Sequence, residues 1–434
     1  MIRCALRFAL VLVLVIPSVA RADGDVQGAA YSASGSGALA FANETHNTGG
    51  SVLRLVTAEG LVTAPQPIAS GFEDPQVAMG PRGDVIVAWF DKAGLYARFQ
   101  PAGGVLGPVE VVAAAPDIYQ EVLPLAVDGA GNAFVAYAPM FGPGGLRVRM
   151  RDASGAWGAE QNLGGTDIYD PALEVAANGT ALLAWRQHGG KALNGTQIAL
   201  STRAPGAAFT PATVIAGTPR HADEPALALN DRGDAVVTWI ESHRSDRPKA
   251  RRGEILSSIH GRFRRADGAF GKSMRLSHMQ AAGQSVAVFP DGRMILAWTD
   301  WTNRRVEARV RSSTGVLGRA YVLTHDLGVN ARIEALASGR GVVGWIDRDP
   351  GLVFVRAAQA TKDRRFQAPQ LVARVHGYDL DPVWTASPTS LAVVPTPPGE
   401  PKDEISWQRV TFPPDPTALP AGSRLSEDMI FRGW

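Results

Sequence analysis

An all-β chain folded as a propeller of about eight four-stranded blades is the architecture this sequence predicts, and three observations predict it. A cassette of glycine, apolar run and closing aromatic recurs seven times. The aromatics stand about 48 residues apart. Each interval holds four short β-rich runs and no sustained 3.6-residue apolar period. The cassettes are Gly35 to Phe41, Gly83 to Trp89, Gly131 to Tyr137, Gly179 to Trp185, Gly233 to Trp239, Gly292 to Trp298 and Gly339 to Trp345, with the glycine six residues before the aromatic in every copy. The steps between aromatics are 48, 48, 48, 54, 59 and 47 residues.

Each repeat reads in the same order. A first strand begins near an acid-proline pair, as in Asp74-Pro75-Gln76-Val77-Ala78-Met79. The turn Pro81-Arg82-Gly83 follows, where glycine meets the positive φ of a tight turn without steric cost. The cassette forms the second strand and closes on Trp89. Leu95 to Phe99 alternates as a third strand, and Val109 to Val112 is the fourth after a Gly103-Gly104 turn. Later units open at Asp170-Pro171, Glu224-Pro225, Ser285 and Arg332. A worn eighth unit opens at Asp381-Pro382, with apolar runs at 391–394 and 405–410 but neither turn glycine nor aromatic. Eight blades is the expected count. A ring of seven, in which the first and last units share one composite blade, is the alternative. The cassette aromatics are read as blade-to-blade core.

The ends are read differently. Arg3 and Arg7 precede an apolar run from Phe8 to Ala20, and Ala20-Arg21-Ala22 is a small-residue cleavage site. Residues 1–22 are therefore read as a secretory signal, 23–412 as the propeller and 413–434 as a proline-rich, then polar, tail. This predicts a secreted or periplasmic protein without a membrane span. Arg3, Arg7 and Arg21 leave with the signal, so 43 Lys+Arg become 40 against 41 Asp+Glu. A mature chain so balanced has no global field for nucleic acid. Its one cysteine, Cys4, leaves with the signal, so packing alone must hold the fold. The oligomeric state is not set by the sequence.

The repeat resembles bacterial secreted propellers of a generic sialidase-like kind. Leu125 to Val135 is similar to the strand-turn-strand of the NHL repeat. Asp152 to Trp157 and Asp267-Gly268-Ala269-Phe270 resemble worn Asp-boxes, the turn motif of sialidase blades, with glycine two rather than three residues before the aromatic. Sialidase activity would imply an arginine triad and an early Phe/Tyr-Arg-Ile-Pro motif, which is absent. Arg98, Arg149, Arg262 and Arg309 recur in register and are read as third-strand surface or ion-pair residues.

Sites are expected where copies differ. In a four-stranded blade, the loop into the first strand and the loop after the second emerge on one face. That gathers Asp74, Asp170, Glu224 and Asp381 with Asp91, Glu241, Asp300 and Asp347 as a carboxylate rim. Such a rim would bind sugar hydroxyls or Ca²⁺, although no D-x-D-x-D spacing is present. The blander reading makes these acids strand and turn starters. Trp301 lies outside the repeat and suits sugar stacking. The insertion 241–252 carries Arg244, Arg247 and Arg251 as a basic loop for an acidic ligand. The histidines show no zinc spacing. The expected function is a binding module without catalysis, for a glycan or protein ligand. A polysaccharide-acting glycoside hydrolase or lyase is the rival reading.

Overall fold

The computed structural model describes residues 25–411. The segments 33–35, 43–49, 58–62, 71–74, 115–122, 139–143, 190–194, 218–220, 245–254, 279, 325–327, 336–340, 350–351, 361–365, 367–369, 376–382, 388–389 and 395–407 fall outside the description. The signal 1–22, the tail 413–434, Asp74, Asp381, Arg247 and Arg251 thus lie outside the described residues.

Among the described residues all regular structure is strand, arranged as seven four-stranded antiparallel sheets and one three-stranded sheet. Each sheet keeps its strands in chain order, and each is one sequence repeat. In the second unit, Gln76–Met79, Val85–Asp91, Gly94–Gln100 and Glu110–Ala113 match the predicted runs closely. The eighth unit has three strands, Val383–Ser387, Ser390–Val394 and Gln408–Thr411. The last begins three residues into the predicted run 405–410 and ends one residue beyond it.

The cassette strand is apolar without alternation because both of its faces are covered. In the fourth unit, Ala181, Leu183 and Trp185 pack on the third unit beside Phe134, Ala136 and Val148. Leu182 and Ala184 pack on the fifth beside Leu227, Val237 and Trp239. The pattern repeats at the other junctions, so each described cassette aromatic seals a unit to its predecessor. Trp185, Trp239, Trp298 and Trp345 are among the largest fully buried side chains.

Three of the recurrent arginines bond to backbone carbonyls instead of forming a loose surface or ion pairs. Arg98 donates to the carbonyls of Pro67 and Gly107, Arg149 to Val112 and Gly158, and Arg309 to Leu276. Pro67, Val112 and Leu276 each belong to the preceding unit. These guanidiniums therefore tie unit to unit by satisfying carbonyls at the junction. Burial lowers the pKa of Arg98 and, as the largest cause, that of Arg309.

The worn Asp-boxes close as turns. Asp152 accepts the Ser154 and Ala156 amides, each at 2.9 Å, and Trp157 bridges back to Arg151. The same bridge recurs at Arg203–Phe209, Arg264–Phe270 and Arg311–Leu317.

Candidate functional site

The first strands of successive units carry a bulge at one register position. It falls between Tyr169 and Ala172, between Asp223 and Ala226, and between Ala282 and Ser285. Within it the backbone turns left-handed, at φ 49° for Asp170, 49° for Glu224 and 60° for Gly283. Glycine takes that conformation freely, whereas an ordinary residue there costs about 1–2 kcal/mol. Two consecutive units therefore hold an acid where the sixth unit has glycine. The expectation that these acids precede the strands and start them is corrected. They lie inside Tyr169–Val175 and His221–Leu229, and the bulge re-aims them.

The bulges bring a compact charged group together. Arg186, the residue after the cassette aromatic, lies opposite Tyr169 in the ladder, with its guanidinium 4.4 Å from that ring's centroid. Its Nε is 3.1 Å from Asp170 Oδ2, an ion pair outside hydrogen-bond alignment. Its Nη1 donates to Asp223 Oδ1 of the next unit at 3.4 Å, and Thr196 Oγ1 donates to the same oxygen at 2.9 Å. Asp170 and Glu224 are exposed, so the group is open to solvent.

Glu224 is crowded by protein on part of its surface while one side stays open. Burial, then the like charges of Asp170 and Asp223, push its carboxyl pKa up against the opposing pull of Arg186. Gln284 of the sixth unit donates through Nε2 to the Glu224 carbonyl, while its own buried Oε1 has no partner. Three units thus contribute to one site.

The other expected acids behave differently. Asp91 accepts the Ala93 and Gly94 amides, so it closes its own turn. Asp300 is corrected from an open rim carboxylate. It is buried, accepts from Asn303 N and Nδ2, and pairs with Arg305 at 3.4 Å. Glu241 faces His260 at 3.8 Å. Among the described residues no three His, Cys, Asp or Glu side chains come together as a metal would require, so the calcium expectation finds no site there. Trp301 is 53% exposed on the loop after the second strand, and its amide donates to Gln280 O at 3.0 Å. That bond ties the loop to the start of its own unit's first strand, the shared face expected from blade geometry. Arg244 is strand rather than loop: Ala235–Arg244 pairs through to Ile255, which shortens the expected basic insertion.

Sequence reading missed Tyr169, Arg186, Asp223 and Gln284. The available signals were a cation directly after Trp185 and the double acid Asp223-Glu224. The left-handed acids give a direct test. Glu224→Gly and Asp170→Gly are each expected to leave the fold intact and raise its stability by up to about 1 kcal/mol, read as a higher urea midpoint. A fall of that size or more would mean that the bulges are unstrained.

All-β and built of four-stranded antiparallel sheets, this chain is similar in fold to propeller-type proteins. No family model matches the sequence and no curated protein matches it. Among solved structures the chain is similar to virginiamycin B lyase from Staphylococcus aureus, at 9% identity and TM-score 0.44, over 90% of this chain and 96% of that one. It is similar to a polysaccharide lyase named as an ulvan lyase, at 11% and 0.46, over 76% and 90%. It is similar to the α-L-arabinanase of Penicillium chrysogenum, at 11% and 0.39, over 62% and 87%. The likeness is one of fold. Against the expectation of a binding module without catalysis, these structures are named as enzymes, two of them of glycans. Among the described residues no helix is long and apolar enough to cross a membrane.

Proposed function

We propose that this protein is a glycoside hydrolase acting on a polysaccharide outside the cytoplasm, with Glu224 as general acid. The observation that supports this most directly is the pair of acids, Asp170 and Glu224, held left-handed at one position of adjacent units around Arg186. Strain of this kind clusters where a protein must aim a functional group.

The two carboxylates stand in unlike surroundings. Glu224 keeps its proton to higher pH than an ordinary glutamate, as a group that protonates a glycosidic oxygen must. Asp170, ion-paired to Arg186, brings negative charge to the opposite role. As the C–O bond breaks, the Glu224 proton passes to the leaving oxygen. The developing oxocarbenium charge is met by Asp170; water then adds its oxygen to the anomeric carbon and gives the released proton to the Glu224 carboxylate, which restores the acid. Arg186 and Asp223 orient Asp170. Trp301 lies on the same face as a stacking surface for a sugar ring.

The ring that carries the site is read as eight blades, closed where the first strand of the first unit contacts the first strand of the eighth. Residues 1–22 are its export signal. Asp74, Arg244, Arg247 and Arg251 remain proposed contributors to ligand binding at the loop face.

The test is reducing-sugar release by the mature protein across neutral and acidic plant, algal and bacterial polysaccharides. Activity on at least one neutral polymer is expected, with a basic limb in kcat set by Glu224. Cleavage that leaves an unsaturated uronate would move the assignment to a lyase. No release from any polymer would overturn the enzyme reading.

A further inference from the structure

The first-strand bulges of the fourth, fifth, sixth and seventh units align in register. The residue after Asp170 is Pro171, the residue after Glu224 is Pro225, and the residue after Gly283 is Gln284. In the seventh unit that position is Ala331. Proline and alanine have no side-chain donor, whereas glutamine has two N–H groups. Gln284 uses one across the junction, where Nε2 donates to the Glu224 carbonyl of the fifth unit. The matching donor for the Asp170 carbonyl would be residue 225, and for the Gly283 carbonyl residue 331, and neither can supply one. Of these three bulges, the one that carries Glu224 is thus singled out for a side-chain tether from the next unit.

The tether is stiff. Gln284 is 8% exposed and lies within the strand Ala281–Val288. Its segment is fixed on both sides. The Gln280 amide donates to Ser257 O of the fifth unit at 2.7 Å, and the Ile333 amide of the seventh donates to Ser285 Oγ at 3.0 Å. The Trp301 amide donates to the Gln280 carbonyl, so the acid and the exposed indole hang from one stretch of backbone, 280–285. Packing alone does not call for an amide at residue 284, since Pro171 and Pro225 are buried at the same place. The amide even carries a cost, because its Oε1 is buried without a hydrogen-bond partner. What Gln284 adds over proline is the bond to Glu224. Glutamate at φ 49° is held against its own preference. A donor on its carbonyl fixes the peptide plane that follows, and with it the direction in which the side chain leaves the bulge.

We propose that Gln284 is a positioning residue, whose amide holds the Glu224 backbone left-handed and so aims the carboxyl at the substrate in fixed relation to Trp301. Its consequence for catalysis rests on the hydrolase reading, whereas the tether itself is a property of the folded chain. Supports of this kind set how closely a reacting group is held to its productive geometry, and a small misplacement of that group is costly in rate.

Gln284→Pro tests this, because it gives the sixth unit the residue that two neighbours already carry after a left-handed position. Gln284→Met is the second variant, close in size and without a donor. Titration of the Glu224 carboxyl by carbon-13 NMR, assigned by its loss in Glu224→Gln, reads the placement of the side chain without any substrate. Burial is the largest cause that holds this carboxyl above 4.5, so a released Glu224 should titrate closer to 4.5 in both variants. On the best polysaccharide, kcat should fall by about tenfold or more with KM little changed, and its basic limb should move to lower pH. A merely structural Gln284 would lower the melting temperature and leave the titration and the basic limb in place, and that result would overturn the proposal. A shifted titration in a protein that releases no sugar upholds the tether and removes only the hydrolase reading. An active wild type whose two variants keep both its titration and its kcat overturns the tether and leaves the hydrolase standing.

Discussion

Glu224→Gln is expected to lower kcat on the best polysaccharide by about 10²–10⁴-fold with little change in KM. The amide keeps the size and the backbone conformation of the glutamate but has no proton to give to a leaving oxygen. Substrates with good leaving groups, such as aryl glycosides, need little protonation and should lose far less. Equal losses on both substrates would remove Glu224 from the acid role. The stability of the same variant checks the electrostatics. A carboxyl whose folded pKa is raised binds its proton more tightly in the folded state. Its ionisation therefore costs stability as pH rises through the interval above the ordinary glutamate value of 4.5. Below that interval wild type and Glu224→Gln should be equally stable. Above it the variant should be the more stable, and the gap should stop growing once the folded carboxyl is fully ionised. A gap that shrinks with rising pH would mean that the pKa is not raised.

Trp185→Ala is expected to cost about 3–5 kcal/mol, seen as a fall in the urea midpoint at unchanged slope. Trp185 is fully buried between the third and fourth units, among Phe134, Ala136, Val148 and Leu183. Its indole Nε1 donates to Gln187 Oε1 at 2.9 Å, so truncation opens a cavity and also frees that acceptor. Trp301→Ala is the control. That indole is 53% exposed, and its loss should change stability by less than about 0.5 kcal/mol while weakening saccharide binding at the rim. If both variants unfold alike, the cassette aromatics are not the seal between units. Because each unit leans on its neighbours, the loss at Trp185 should be felt across the array rather than in one sheet.

These expectations differ in how far they were legible in the sequence. The sheets were legible because the period belongs to the backbone. A glycine at each turn, six residues before an aromatic, needs only local chemistry and a two-sided apolar environment to specify a strand. The strands of the second unit fall within a residue or two of the predicted runs for that reason. The recurrent arginines were legible in position but not in role. Their partners are carbonyls of the preceding unit, 37 residues earlier for Arg149 and 33 for Arg309, and backbone atoms leave no mark in a side-chain pattern.

The site was legible only in part. Asp170 and Glu224 were picked out as acids beside proline, but the reason they matter is a bulge that turns the chain left-handed. Periodicity does not report φ, and the same acids read equally well as strand starters. Asp300 was picked out by the same reasoning and failed, because Asn303 and Arg305, a few residues on, fold back to occupy it. Arg186 and Asp223 were missed because each is ordinary in its own repeat. They meet only when two units are set side by side.

By itself, then, the sequence determined the repeat, the all-β character and the aromatic seals, since these depend on local backbone preference and on apolar burial at fixed spacing. Tertiary structure alone decided which of many acids share a field and which guanidiniums find acceptors. Those outcomes depend on distances across units, and Coulomb and hydrogen-bond energies are set by separation and burial rather than by order along the chain.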